Sequence, residues 1–199
     1  MDGTLIDSSG AISTAYISTV REIAGVIVTP EEVVDAYPVG PPRAMLGHFL
    51  GRKATAAEVD RYHEILFDQA HSIAVYPGIE EALTRSAERV PLAVFTGASR
   101  RACEILLGST GLLRYFADVV GGDEVARPKP EADGIDLACS RVGVAPTCAA
   151  YVGDAPNDLE AARRSGAVAI AAAWGYQYRP GEPADEIVPH PEDILRLFP

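Results

Sequence analysis

Tyr151-Val152-Gly153-Asp154-Ala155-Pro156-Asn157-Asp158 carries a short apolar run into a carboxylate, then into a proline and a second carboxylate. The run Ala149 to Gly153 has the length and apolarity of a buried strand. Asp158 suits the first turn of a helix, where an acid meets the positive end of the helix dipole. Gly166, after Arg163-Arg164-Ser165, closes that helix with basic residues near its negative end. A strand that hands its chain directly to a helix is the unit from which parallel sheets are built.

The same unit repeats on both sides of this stretch. Apolar runs predict strands at Leu92–Phe95, Asp118–Gly121, Ala149–Gly153, Val168–Ala173 and Glu186–Val188. Helical spacing falls between and after them, at Ile79–Glu88, Arg100–Thr110, Glu131–Val142, Asn157–Ser165 and Glu192–Phe198. Alternating strands and helices imply an α/β fold with a Rossmann-like parallel sheet covered by helices on both faces. Ligands in such sheets bind beyond the carboxyl ends of the strands.

From Ser8 to Val75 the pattern is helical instead. Ile12, Ala15, Tyr16, Thr19, Val20 and Ile23 recur at three- and four-residue spacing. Thr29-Pro30-Glu31-Glu32 combines a cap residue, a first-turn proline and early acids. A further helix is expected over Arg43–Leu50, after the turn Gly40-Pro41-Pro42. Thr55-Ala56-Ala57-Glu58 matches a capping box whose helix should reach about Ser72. No strand is expected in this part. The layout is therefore a core of residues 1–7 and 76–199 interrupted by a helical insert over 8–75.

Composition narrows the function classes. The 199 residues are 48% hydrophobic and 23% charged, which suits a folded domain. The formal charge of −11 disfavours nucleic acid or an anionic membrane as partner, because both need a positive field. No apolar run approaches the ~20 residues that span a bilayer. Cys103, Cys139 and Cys148 lack zinc-like spacing and read as buried thiols. A cytoplasmic location is expected.

Three segments place polar groups at strand ends or in loops. Leu92-Ala93-Val94-Phe95-Thr96-Gly97 ends a strand in a hydroxyl beside backbone amides. Arg127-Pro128-Lys129-Pro130 sets one lysine in a proline-flanked turn before a helix. Asp154 and Asp158 supply two carboxylates about one helical turn apart. A carboxylate pair suits Mg²⁺, which takes oxygen ligands and keeps several waters. A hydroxyl and an ammonium can share the charge of a transferring phosphoryl group.

With the opening Met1-Asp2-Gly3-Thr4-Leu5-Ile6-Asp7-Ser8, these motifs stand in the order and spacing of the haloacid dehalogenase-like (HAD) superfamily, which the chain resembles over nearly its whole length. The likeness is to the phosphoglycolate phosphatase and β-phosphoglucomutase branch, which carries a helical cap after the first motif. The resemblance implies a Mg²⁺-dependent phosphatase acting on a small phosphorylated metabolite through an aspartyl-phosphate, as a monomer or homodimer. It implies that Asp2 is the general acid/base and a metal ligand through its carbonyl. Thr96 and Lys129 would act on the phosphoryl group beside the Gly97 backbone, and Asp154 and Asp158 would hold the metal. Asp7 reads as a helix-entry residue.

The resemblance also ranks alternatives. Arg43, next to Gly40-Pro41-Pro42, occupies the cap loop that relatives extend over the site, where it could grip a carboxylate or second phosphate. Arginine stays protonated and cannot form the imine of phosphonoacetaldehyde hydrolases. His48 and Arg52 are weaker cap candidates. The acid at Asp2 disfavours dehalogenation, and Gly153 stands where β-phosphoglucomutases usually carry a glutamate, so phosphatase leads mutase. Pyrophosphatase, sugar-phosphate phosphatase and nucleotidase activities stay open, as does a degenerate, non-catalytic binding protein.

In the family pattern a nucleophilic aspartate stands two residues before Asp2, at the end of a central strand. The expectation is that both lie upstream of Met1. Losing about four buried aliphatic side chains would forfeit roughly 6–12 kcal/mol, comparable to the ~5–15 kcal/mol stability of a whole domain. The chain starting at Met1 is accordingly expected to have an unfilled slot between strands and almost no turnover.

Overall fold

In the computed structural model, which describes residues 1–197, the helical insert and the α/β core form as their local chemistry directs. Thr29 and Thr55 each accept a hydrogen bond from the backbone N–H three residues on, and Glu32 and Glu58 return one. These capping boxes open α2 (Pro30–Asp35) and α4 (Ala56–Gln69). With α1 (Ser9–Ala24) and α3 (Pro42–Leu50) they enclose Ala15, Val20, Leu46 and Leu66, all fully buried. Tyr16 of α1 stacks on Tyr62 of α4 with ring centroids 4.3 Å apart. The helix expected to reach Ser72 turns at Ala70 into a 3-10 segment ending there.

The chain enters and leaves the insert through a ribbon in which β1 (Ile6–Asp7) pairs antiparallel with β2 (Ala74–Val75). No strand was expected before Tyr76. Two residues cannot display an alternating pattern, and their partner lies at the far end of the insert in sequence.

The core strands β3 (Ala93–Phe95), β4 (Asp118–Val120), β5 (Ala150–Gly153), β6 (Val168–Ala172) and β7 (Glu186–Val188) are all in parallel pairs. Helices α5 (Ile79–Ala87) and α6 (Arg100–Ser109) pack with Val94 and Val119 in one hydrophobic cluster. Helices α7 (Asp133–Val142) and α8 (Pro156–Ser165) pack with Phe95, Val120, Ala169 and Ala171 in another. Successive strand residues thus serve opposite faces, as the pleat requires. The last expected helix forms as a 3-10 segment, Pro191–Leu197, and Phe198 lies outside the described residues. Cys103 and Cys139 are buried, whereas Cys148 is exposed, because it sits in a 3-10 turn ahead of β5 rather than in an element facing the core. No helix among the described residues is long and apolar enough to cross a membrane.

The parallel strands do not form one continuous ladder. They pair as β3-β4 and as β5-β6-β7, so β3 and β5 each have a strand partner on one side only. Between them lies a cavity of about 320 Å³, lined by Met1, Leu83, Val94, Phe95, Ala150 and Val152 among others. One polar contact bridges the two pieces: the Tyr151 hydroxyl donates to the Phe95 carbonyl at 2.8 Å.

Gly134 lets α7 approach β3. A Cβ there would lie 2.1 Å from the Phe95 ring, whereas one at Gly108 in α6 would meet nothing within 4 Å. Gly134→Ala is expected to destabilise by about 1–3 kcal/mol through overpacking. Gly108→Ala is expected to stabilise by roughly 0.5–1 kcal/mol through chain entropy. Urea unfolding of the two variants against the parent chain measures both.

Candidate active site

Each motif reaches the carboxyl end of a core strand. Thr96 follows β3, and its hydroxyl accepts from the Ala98 N–H at 3.2 Å. Asp154 follows β5, and Asp158 stands in the first turn of α8, accepting the Ala155 N–H at 3.1 Å. Thr96, Asp154 and Asp158 are all buried, at 2%, 1% and 6% exposure. Lys129 lies in the loop ahead of α7, with its Nζ 5.5 Å from the Phe95 ring centre. Gly97 lies beside it, since a Cβ at Gly97 would stand 4.0 Å from Lys129 Cε.

Burial opposes charge, so the ionic groups must compensate one another. Lys129 Nζ donates to Asp158 Oδ1, and Tyr151 Oη approaches the same oxygen at 3.4 Å. Burial alone would raise the Asp158 pKa. The Lys129 and Met1 ammonium charges and the bonds from Lys129 and the Ala155 N–H outweigh it, and the net shift is downward. Burial likewise disfavours the Lys129 ammonium, but Asp158 holds it charged and its pKa is raised. Asp154 has no such partner. Burial first, and then the charge of Asp158, push it up to about 6, against the Gln177 N–H, the Met1 ammonium and the Thr4 hydroxyl.

The opening turn is fastened to this carboxylate. Thr4 Oγ1 donates to Asp154 Oδ1 at 3.0 Å, Gln177 N–H donates to Asp154 Oδ2 at 3.0 Å, and Trp174 Nε1 donates to the Thr4 carbonyl at 2.9 Å. Gly3 has φ of 72°, and a Cβ on it would fall 2.1 Å from Asp154 Oδ2, so both conformation and space demand glycine. Asp2 Oδ1 accepts from the Ser8 hydroxyl. Asp7 accepts from Ser9 N–H and Oγ at 3.3 and 2.8 Å, which is helix-entry chemistry.

The structure thus brings the Asp2 turn, Thr96, Gly97, Lys129, Asp154 and Asp158 to one end of the core. The insert's expected residues are placed otherwise. Arg43 is exposed and donates to the Ala54 carbonyl at 3.4 Å. Arg52 bonds both oxygens of Glu58, and His48 is exposed, edge-on to Phe49. Sequence reasoning missed Thr4, Tyr151 and Gln177. Thr4 and Tyr151 lay inside the motifs themselves, whereas Gln177 acts through its backbone and leaves no side-chain signal.

Carboxylates, a lysine and a hydroxyl gathered at the ends of parallel strands, in a chain with a helical insert, define a class. The chain belongs to the haloacid dehalogenase-like hydrolase family, whose pattern it matches over residues 1–172. It is 34% identical to a phosphoglycolate phosphatase of Chromobacterium violaceum, over 88% of this chain and 83% of that protein. It is 30% identical to an N-acetylmuramic acid 6-phosphate phosphatase of Pseudomonas aeruginosa, over 100% of this chain and 92% of that one. Among solved structures it resembles CbbY from Rhodobacter sphaeroides in complex with phosphate, with a TM-score of 0.84 and 25% identity over 98% of this chain and 93% of that one.

Two outcomes test these electrostatics. An aspartate whose folded pKa of about 6 exceeds its ordinary 3.8 favours the fold fully below about pH 3.8, and that contribution is lost as pH rises through about 6. Without divalent cations, Asp154→Asn is therefore expected to stabilise the protein by on the order of 2–3 kcal/mol at pH 7.5 and by much less near pH 4. Urea titrations at both pH values measure it. Lys129→Ala strands a buried carboxylate and is expected to cost about 3–5 kcal/mol, with Asp158→Asn in the same chain recovering part of it in a double-mutant cycle.

Proposed function

We propose that this chain carries the site of a Mg²⁺-dependent phosphatase that hydrolyses a small phosphomonoester, with phosphoglycolate the first substrate to test. The observation that carries this reading is the gathering of buried Asp154, Asp158 and Thr96 with half-buried Lys129 at the strand ends, where Thr4 of the Asp2 turn bonds Asp154 and Lys129 bonds Asp158. Among the described residues no three carboxylate, histidine or cysteine side chains cluster as a metal cage. A two-carboxylate site still fits Mg²⁺, which commonly takes one or two carboxylates and fills the rest with water and phosphate. Asp154, short of compensating charge, is the residue a cation would satisfy. Bound there, Mg²⁺ would supply positive charge to the phosphate oxygens.

The chain's own residues take the remaining roles. Lys129 and Thr96, beside the Gly97 backbone, hold the phosphoryl oxygens and stabilise charge developing on them. Asp2 donates a proton to the leaving oxygen as its bond to phosphorus breaks. The phosphoryl group passes to a nucleophilic aspartate, which this reading puts two residues before Asp2. Asp2 then takes a proton from the water that attacks phosphorus and frees the aspartate. For a carboxylate-bearing substrate, Arg43 would have to leave Ala54 and reach over the site. The reading includes a cytoplasmic location and a helical cap over 8–75.

Met1–Pro199 is expected to release phosphate at no more than ~10⁻⁶ of the rate of a form extended by an apolar strand ending in that aspartate. A phosphate-release assay with and without Mg²⁺ compares the two. Substantial Mg²⁺-dependent turnover by Met1–Pro199 would overturn the nucleophile assignment. An inactive extended form would favour a binding protein.

A further inference from the structure

The loop that leaves β3 is held from two sides. On the core side, the Gly122 N–H donates to the Ala98 carbonyl at 2.7 Å, and a Cβ on Gly122 would fall 2.6 Å from the Gly97 carbonyl oxygen. On the other side the hold comes from the insert. His63 of α4 places its Nε2 2.8 Å from the hydroxyl of Ser99, where the loop passes into α6, and both side chains are buried. At the exposed rim of the same contact, Arg101 pairs with Asp60 of α4 at 2.6 Å. Exposed pairs of this kind contribute little, so the buried bond is the stronger of these two polar ties between the insert and α6.

The bond has a direction. Ser99 Oγ already accepts the Ala102 N–H as the cap of α6. Its own hydrogen is therefore the donor left for His63, and Nε2 accepts it. The neutral ring then carries its proton on Nδ1. A further proton on Nε2 would leave the Ser99 hydrogen without its acceptor and set a charge inside a buried contact. The charged groups facing the ring are Arg101 from α6, Asp60 from α4 itself and Asp123 from the turn after β4. Burial first, and then Arg101, hold its pKa below the ordinary value, against both carboxylates and the Val59 carbonyl.

We propose that His63 is a positioning residue of the phosphate site: uncharged, it seats the insert on Ser99 and keeps the Thr96–Ser99 loop shaped for phosphate, and a proton on Nε2 releases both. It acts through Ser99. The inference rests on the reading of Thr96 and Gly97 as phosphate-binding. If protonation of His63 weakens phosphate binding, phosphate must disfavour that proton by the same factor. A bare anion nearby does the opposite, since negative charge favours the imidazolium. The sign of the shift therefore separates a positioning histidine from a bystander.

Proton NMR of Met1–Pro199 with Mg²⁺ follows the ring signals of the 4 histidines between about pH 5 and 8, with and without saturating inorganic phosphate. The His63 signal is the one that persists through His48→Gln, His71→Gln and His190→Gln, all at exposed positions. Phosphate is expected to lower its midpoint by about 0.5–1 pH unit, which corresponds to a roughly three- to tenfold weaker phosphate affinity of the charged form. Titration calorimetry with phosphate supplies the second arm. In His63→Gln an amide oxygen can accept from Ser99 without titrating. That variant is expected to match the parent affinity at the alkaline end and to lose roughly three- to tenfold less of it on acidification. The titrations of phosphate and of Asp154 are common to both chains and cancel. A His63 midpoint raised or unmoved by phosphate overturns the assignment, and so does an unchanged pH dependence in His63→Gln. Phosphate that fails to bind the parent chain at any pH would overturn the phosphate-site reading, and this inference with it.

Discussion

The ion pair of half-buried Lys129 with buried Asp158 is the interaction on which the rest of the site depends. Asp158 lies close enough to Asp154 for its charge to oppose the ionisation of that carboxylate, and both are out of water. Such a pair is tolerable only when a cation compensates one member. Lys129 does so from a loop ahead of α7, tying that loop to α8. Asp154 has no lysine or arginine paired with it among the described residues, and the proposed metal site rests on that imbalance.

The fold converts strand direction into chemistry. Because the core strands run parallel, their carboxyl ends gather at one end of the molecule, and the loops leaving them carry the polar residues. The Asp2 turn is added to that end by Thr4 and Trp174 rather than by a strand ladder. The gap between β3 and β5 separates the two halves of the site's support, with Tyr151 spanning it through Phe95 and Asp158. The same tyrosine therefore serves both the architecture and the electrostatics.

Much of this was legible in the chain. The cap residue Thr29 and the capping box at Thr55 were readable because their bonds close within four residues. The core strands were readable because short apolar runs ended in polar motif residues. What escaped depended on partners distant in sequence: β2, which exists only through pairing with β1, and the fastening of Asp154 by Thr4 and Gln177. The insert illustrates the difference well. Spacing alone placed a turn at Gly40-Pro41-Pro42, and arginine chemistry drew attention to Arg43, whose guanidinium in the structure donates to the Ala54 carbonyl.

The sequence by itself determined the alternation of strand and helix, the helical insert and the residue types gathered for phosphate chemistry. Those follow from local periodicity, capping and motif order, which act over a few residues. Only the tertiary structure decided which carboxylate is compensated by a lysine and which is not. It also decided that the parallel strands stand in two pieces. Those outcomes depend on burial and on contacts between segments far apart in the chain, where a charge or a backbone edge is costly or harmless according to what lies opposite it.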